Sequence, residues 1–221
     1  MALILNIETS TTNCSVSIGK NGKLLSLKEE NHPHYSHSEN LHLFIEEAVR
    51  KAEINLDQLD AIAVGKGPGS YTGLRIGVST AKGLCFALDK KLISVPTLSM
   101  LAKQIKAQAS EVVIPMLDAR RMEVYSAVFD HRGTQIRETR AEILNEHSFS
   151  EYLHAGKVHF LGNGAQKLQP LISGSSAQFI EGKFPSAKEM VALSEEIFNQ
   201  SKFEDVAYFE PFYLKDFVAG K

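Results

Sequence analysis

The stretch from residue 65 to residue 75, GKGPGSYTGLR, concentrates the residue types that bind phosphate. Four of its eleven residues are glycine, and a helical pattern, IGVSTAKGLCFAL, follows at once. Unpaired N–H groups at a helix N-terminus attract anions, and glycine lets a phosphate approach the backbone, so the stretch predicts a phosphate or nucleotide site. The candidate ligands are Gly67, Gly69, Ser70 and Thr72, with Arg75 as a further donor.

Neither of the familiar glycine motifs for phosphate matches this stretch. A P-loop requires Gly-x-x-x-x-Gly-Lys-Ser/Thr, which is absent from the sequence. A dinucleotide fingerprint requires Gly-x-Gly-x-x-Gly, and Gly73 stands one position too far from Gly69. A tight strand-to-helix turn is therefore an alternative interpretation of the same residues.

Two acidic residues end apolar strands in corresponding places. Glu8 ends ALILNIE and precedes the hydroxyl residues Thr9, Ser10 and Thr11, and Asp118 follows EVVIPML. Two carboxylates with neighbouring hydroxyls can hold magnesium through water molecules. Alternatively both acids stabilise turns, with Asp118 accepting from the backbone of residues 119–121 and Glu8 paired with an arginine.

The histidines and cysteines show no metal-binding pattern. Four histidines lie close together in the sequence: His32, His34, His37 and His42. No two of them are four residues apart, and a polar surface loop that leads into a helix explains them. Cys14 and Cys85 lie in apolar patterns, which predicts buried thiols. No metal site is expected.

The charge balance argues against a protein that binds nucleic acid by itself. Lysine and arginine total 24, aspartate and glutamate total 26, and the net charge is −2, so no basic footprint is present. The first residues, MALILNIETST, lack the basic segment of a signal peptide. No apolar run approaches the roughly 20 residues that span a membrane, so we expect a soluble, cytoplasmic protein.

Hydrophobic periodicity predicts an α/β protein of two related lobes, residues 1–107 and 108–221. Each half starts with an apolar strand ending in an acid, followed by an alternating strand, a glycine turn and a third strand. The two acids stand 110 residues apart, and Gly22 and Gly133 follow them by 14 and 15 residues. Helices are expected over residues 38–53, 71–88, 97–107, 165–172 and 186–200, and an extended aromatic tail from residue 209.

The helix expected at residues 71–88 carries a stripe of small residues, Gly77, Ala81 and Cys85. Small residues four positions apart let another backbone come close, either the chain's own sheet or a partner helix. Glycine costs up to about 1 kcal/mol relative to alanine in a helix interior, so a packing role is favoured over chance. If the stripe meets a partner, Gly77→Leu should break assembly and leave the fold mostly intact.

Four segments together resemble the TsaB (YeaZ) family: ILNIETSTTNCSVSI, GKGPGSYTGLRIGVSTAKGL, MLDARRMEVY and EPFYLK. They stand in family order, cover the chain nearly end to end, and include the highly specific GPGSYTGLR. The resemblance implies a duplicated actin-like, ribonuclease H-like fold. It also implies a non-catalytic paralogue of TsaD that supports formation of the threonylcarbamoyl group on adenosine 37 of tRNAs reading ANN codons.

The same resemblance implies partners rather than catalysis. TsaD holds a metal with a His-x-x-x-His pair, which this sequence lacks, so we expect no catalytic residue, no metal and no cofactor required by this chain. Protease activity, suggested by the older glycoprotease (peptidase M22-like) label of the wider family, is not expected. The implied partners are TsaD, the ATPase TsaE through the complex, a second copy when the chain is alone, and tRNA mainly through partners. ATP or ADP would bind at an interface of that complex.

In this family the helices of the N-terminal lobe form the pairing surface. Carried over to this chain, the candidate interface residues are Leu41, Ile45, Tyr71, Leu74, Gly77, Val78, Ala81 and Cys85. In the actin-like fold, Glu8 and Asp118 hold the places of acids near a metal–nucleotide, and the turn Gly162-Asn163-Gly164 resembles the nucleoside side. The competing hypothesis is a compact ATPase or kinase acting alone, which Glu8→Ala or Asp118→Ala should inactivate.

Overall fold

The computed structural model describes residues 2–32 and 37–215. The strands are β1 (Leu3–Glu8), β2 (Asn13–Lys20), β3 (Lys23–Asn31), β4 (Ala61–Gly67), β5 (Lys91–Pro96), β6 (Val112–Asp118), β7 (Glu123–Phe129), β8 (Gln135–Ile143), β9 (Val158–Leu161) and β10 (Ala177–Ile180). The helices are α1 (His37–Lys51), α2 (Tyr71–Leu88), α3 (Thr97–Ala102), α4 (Ser150–Ala155), α5 (Ala165–Leu168) and α6 (Ala187–Asn199), with a 3₁₀ turn at Leu56–Gln58.

The two sheets repeat one topology. In the first sheet the order is β3-β2-β1-β4-β5, with β1, β4 and β5 parallel and β2 antiparallel to both of its neighbours. In the second sheet the order is β10-β9-β6-β7-β8, with β6 in the place of β1 and the same directions. The predicted duplication of an acid-ended strand, an alternating strand and a third strand is confirmed.

The chain divides into two compact units at other boundaries than the sequence suggested. One unit comprises Met1–Thr97 and Pro185–Tyr213, and the other comprises Leu98–Phe184 and Leu214–Lys221. We expected the second lobe to run unbroken from residue 108 to the end. The structure differs because α6 packs on the first sheet, where the Ser17 hydroxyl donates to the Ala187 carbonyl over 2.7 Å.

The first sheet buries an apolar face and a polar face. Along β1, Leu3, Leu5 and Ile7 belong to the core that α1 and α2 cover, as period-two alternation requires. Asn6 and Glu8 alternate with them and are fully buried on the opposite face, the side on which α6 packs. The parallel strands β1, β4 and β5 all have their carboxyl ends at the same end of this sheet. Glu8, the last residue of β1, therefore lies beside the stretch at residues 65–75.

Several predicted bounds change for local reasons. α3 ends at Ala102 rather than residue 107, and α5 ends at Leu168, two residues before Pro170, which has no N–H to donate to a helix. The sequence prediction missed α4 and β10. The aromatic tail does pack down in its described part, since Phe209 contacts the first core and Phe212 N donates to the Lys66 carbonyl over 2.7 Å. In the described residues, none of the helices combines the length and apolarity needed to cross a bilayer.

Candidate functional site

The stretch at residues 65–75, hereafter the glycine loop, packs onto residues 9–12, hereafter the hydroxyl turn. Ser70 N donates to the Ser10 carbonyl over 2.7 Å, and the Thr9 hydroxyl donates to the Gly73 carbonyl over 2.8 Å. Ser70 also caps α2, because its hydroxyl accepts from Gly73 N over 3.3 Å. The two segments that the sequence singled out are therefore neighbours in the structure. They contact one another directly and leave no open cleft between them at these atoms.

Two glycines of this loop, Gly69 and Gly73, and Gly77 farther along α2 are required by that contact. A Cβ at Gly69 would lie 2.5 Å from the Ser10 carbonyl oxygen, and one at Gly73 would clash with the Thr9 carbonyl oxygen. A Cβ at Gly77 would clash with the Thr9 hydroxyl. The space that glycine leaves is thus filled by protein atoms, which favours the tight-turn interpretation over a phosphate cradle. Of the other loop candidates, Gly67 has a φ of 105° and Thr72 is exposed on the first turn of α2.

Glu8 is a completely buried carboxylic acid at the end of β1. Its Oε1 accepts from Ser10 N over 2.6 Å, and no described arginine or lysine forms an ion pair with it, unlike the expected arginine partner. Burial raises the pKa of the Glu8 carboxyl to about 7, and hydrogen bonds from Ser10 and Thr9 offset only part of this effect. Glu8 therefore fixes the hydroxyl turn and is not an accessible carboxylate.

Glu8→Gln is expected to change how stability depends on pH. The pKa of this carboxyl is about 7 in the folded chain against an ordinary value of 4.5, so the unfolded chain loses the proton first, and stability falls as the pH rises from about 4.5 to 7. Glutamine retains the acceptor for Ser10 N and does not titrate. The variant should gain about 3 kcal/mol relative to wild type between pH 4.5 and pH 8 in urea unfolding. An equal gain for the exposed control Glu46→Gln would contradict this origin.

Asp118 lies in the second unit, where other protein groups form hydrogen bonds with its carboxylate and its backbone N–H. Its Oδ1 accepts from Arg120 N over 2.6 Å and from Lys167 Nζ over 2.7 Å, and Asp118 N donates to Asn163 Oδ1 over 3.0 Å. The prediction that Asp118 stabilises the following turn is thus confirmed for Arg120. Near these residues, Gly162 and Asn163 line a cavity of about 160 Å³ at the carboxyl ends of β9 and β10.

A magnesium–nucleotide site of the kind that the actin-like fold implies does not fit these residues. Glu8 is buried and its pKa is raised, and the charge of Asp118 is paired with Lys167. Magnesium needs oxygen ligands that are free to hold it or its water molecules. Within the described residues, no three or more His, Cys, Asp or Glu side chains are grouped as a metal site.

The histidines only partly follow the surface interpretation. His37 is 1% exposed and its Nε2 lies 2.7 Å from the Thr11 carbonyl, so it supports the hydroxyl turn from the start of α1. This corrects the expectation that it lies on a surface loop. His32 is exposed beside Glu30, His42 is exposed on α1, and His34 lies outside the described residues. Cys14 and Cys85 are buried free thiols, as predicted.

The predicted interface residues are core residues, and that prediction needs correction. Except for Tyr71, which is half-buried, all of them are buried within the first unit: Leu41, Ile45, Leu74, Gly77, Val78, Ala81 and Cys85. The small stripe of α2 faces the chain's own sheet, as the contact between Gly77 and Thr9 shows. Gly77→Leu would therefore disrupt the fold and cannot serve as a selective test of assembly.

The opposite face of α2 is exposed and was not recognised from the sequence. It carries Arg75, Ser79, Gly83 and Phe86 at helical spacing, and Phe86 is 86% exposed. A Cβ at Gly83 would meet nothing within 4 Å, so no contact inside the described chain requires glycine there. On α1, which covers the same sheet face, Leu43 is 60% exposed. Exposed large apolar side chains beside small residues are typical of a surface that receives another protein.

Comparisons with known proteins match this chain along most of its length and not only at one motif. The family model described as TsaD, tRNA N6-adenosine threonylcarbamoyltransferase, matches residues 32–220. The tRNA threonylcarbamoyladenosine biosynthesis protein TsaB of Escherichia coli K12 is 29% identical over 230 residues, covering 99% of this chain and 96% of the relative. The tRNA N6-adenosine threonylcarbamoyltransferase of Staphylococcus haemolyticus is 41% identical over 108 residues, covering 42% of this chain and 32% of the relative.

A solved structure extends the agreement to the fold. A crystal structure from Pseudomonas aeruginosa, described as similar to the peptidase YeaZ, superposes with a TM-score of 0.86 at 26% identity and covers 97% of this chain and all of the other. With the repeated strand order, this match confirms the predicted duplicated actin-like fold. Because the family model spans most of the sequence, the chain belongs to the TsaD family, and within that family it is similar along its full length to TsaB (YeaZ) relatives.

Proposed function

We propose that the chain is an accessory subunit that pairs with a TsaD-like catalytic subunit in the formation of threonylcarbamoyladenosine in tRNA. The observation that carries this proposal is the full-length similarity to TsaB, a tRNA threonylcarbamoyladenosine biosynthesis protein. The threonylcarbamoyltransferase of Staphylococcus haemolyticus, by contrast, is matched over only 32% of its length. A chain that shares part of the transferase and still forms both sheets of the repeated fold is suited to assist that enzyme.

The absence of catalysis by this chain is part of the proposal. Glu8 and Asp118 stabilise turns through their carboxylates. The alternative, an ATPase or kinase acting alone, therefore has no free carboxylate from this pair to hold magnesium. ATP or ADP is proposed to bind only at an interface of the assembled complex. The cavity beside Gly162 and Asn163 is the part of this chain that would face such a nucleotide.

The pairing surface is proposed to be the exposed face of α2 together with Leu43 of α1. Gly83 and Ser79 allow a partner helix to approach closely, and Phe86 and Leu43 offer exposed apolar surface to the same partner. The same face would serve a homodimer when the chain is alone, so the TsaD-like subunit and a second copy compete for it. A TsaE-like ATPase joins through the complex, tRNA binds mainly through partners, and the assembly works in the cytoplasm.

Reconstitution of tRNA modification tests the function. Unmodified tRNA is incubated with the TsaD-like subunit of the same organism, a TsaE-like ATPase and the enzyme that supplies the adenylate intermediate, with or without this chain. Threonylcarbamoyladenosine, measured by mass spectrometry of digested tRNA, should rise at least about tenfold when the chain is added, as expected when assembly positions the catalytic groups. Equal yields without the chain would refute the proposal, and ATP turnover by the isolated chain would support the competing kinase hypothesis.

A further inference from the structure

The hairpin turn between β6 and β7 carries two arginines in an unusual backbone conformation. Arg120 and Arg121 have φ angles of 72° and 47°, and both side chains are exposed. Non-glycine residues seldom adopt positive φ, and hairpins prefer Asn-Gly at such positions. The hairpin between β2 and β3 shows that preference, with Asn21 at 53° and Gly22 at 70°. The arginine pair therefore occupies a turn that favours other residues.

Hydrogen bonds at the base of the hairpin hold the backbone of this turn in place. Asp118 Oδ1 accepts from Arg120 N over 2.6 Å, Ala119 N donates to the Glu123 carbonyl over 3.0 Å, and Glu123 N donates to the Arg120 carbonyl over 3.1 Å. These bonds fix the backbone of the turn, so its two side chains project from a set position. A preorganised pair of guanidinium groups costs less to order on binding.

The charges around the turn leave the two arginines uncompensated. Asp118 forms an ion pair with Lys167, and Glu123 forms one with Lys215. Arg120 and Arg121 form no ion pair with any described residue. Acids and lysines at the base of the turn cancel each other, and the tip carries a net charge of about +2 in a chain whose total is −2.

We propose that this arginine tip, Arg120 and Arg121, binds phosphate groups of the RNA backbone when the subunit is part of its complex. Guanidinium groups match phosphate oxygens in a bidentate geometry, and neutralisation of phosphates supplies salt-dependent affinity without sequence reading. Because the tip is an exposed turn rather than an enclosed cleft, it suits a polymer passing over it better than a free nucleotide. This inference rests on the proposed function, which makes tRNA the RNA in question.

The test measures binding of unmodified tRNA to the complex of this chain with the TsaD-like subunit over a range of salt concentrations. The double variant Arg120→Gln/Arg121→Gln should bind roughly tenfold more weakly near 100 mM salt, and the slope of log K against log salt should fall by about 1 to 2. The control Arg132→Gln removes a charge from the next hairpin, where Arg132 N is held by Asp130 Oδ1 over 2.9 Å in the same way. That control should match wild type.

A second variant separates binding from folding. Arg120→Asn/Arg121→Gly installs the pair found at residues 21 and 22, so its thermal midpoint should equal or exceed that of wild type while tRNA binding weakens as in the glutamine variant. Wild-type salt slopes in both double variants, or an equal loss in Arg132→Gln, would overturn the arginine tip as an RNA contact. So would loss of ADP binding with tRNA binding intact, which would identify a free nucleotide as the source of the phosphate.

The outcome also distinguishes this inference from the proposed function. A complex that assembles and modifies tRNA while the arginine variants bind normally refutes only the role of the tip. A chain that neither joins a TsaD-like subunit nor supports modification refutes the proposed function, and the inference falls with it.

Discussion

Gly73→Ala should lower the free energy of unfolding by about 3 kcal/mol. The added Cβ clashes with the Thr9 carbonyl oxygen, a backbone atom at the end of a central strand that cannot move without shifting the hydroxyl turn. Alanine is normally the better helix residue by about 1 kcal/mol, so this loss runs against helix propensity. Urea unfolding followed by circular dichroism measures it.

Gly83→Ala is the matched control on the same helix. Its Cβ would enter open space, so the substitution should raise the free energy of unfolding by up to about 1 kcal/mol. Opposite signs for the two substitutions would establish that the glycine loop is packed against the hydroxyl turn. Equal stabilisation of both variants would show that α2 does not lie as closely on β1 as the structure has it.

Phe86→Glu should weaken binding to the TsaD-like subunit by about 30-fold or more. The ring is 86% exposed, so the change leaves the free energy of unfolding within about 0.5 kcal/mol of wild type. In a complex, however, an aromatic anchor would be lost and a charge would be buried at the centre of the contact, a penalty of roughly 2 kcal/mol or more. Titration of the partner by calorimetry measures the difference.

The control for this prediction is Ile136→Glu, which places the same charge at an apolar residue that is 53% exposed in the second unit. It should bind the partner as wild type does. If both variants bind normally and remain folded, the exposed face of α2 is not the pairing surface. If both lose binding, the effect of Phe86→Glu comes from charge alone and not from its position.

Local sequence signals predicted much of the fold. The helical pattern after the glycine loop predicted the bounds of α2, and the repeated order of acid, alternating strand and glycine turn predicted the shared topology of the sheets. The signals failed for β10, a four-residue strand that is defined by parallel pairing with β9. Such pairing depends on contacts between distant residues, which a short window of sequence does not contain.

For the site, the sequence pointed to the hydroxyl turn and the glycine loop as candidate phosphate ligands, and the structure shows that these two segments pack against each other. Glu8, Thr9 and Ser10 do meet the glycine loop, but as packing and hydrogen-bond partners. On α2, two stripes carry small residues, and the sequence alone could not tell which one faces the sheet. The contact of Gly77 with Thr9, 68 residues away in the chain, decides that question and leaves Gly83 and Phe86 outward.

The most direct test of pairing measures the molecular mass of the species that form when this chain is mixed with a TsaD-like subunit. The purified chain and the TsaD-like subunit of the same organism are combined and analysed by size-exclusion chromatography with light scattering. We predict a single species whose mass exceeds that of the TsaD-like subunit by one copy of this 24.4 kDa chain, with any homodimer consumed. Two separate species, with this chain folded and at its own mass, would contradict its role as a partner of TsaD.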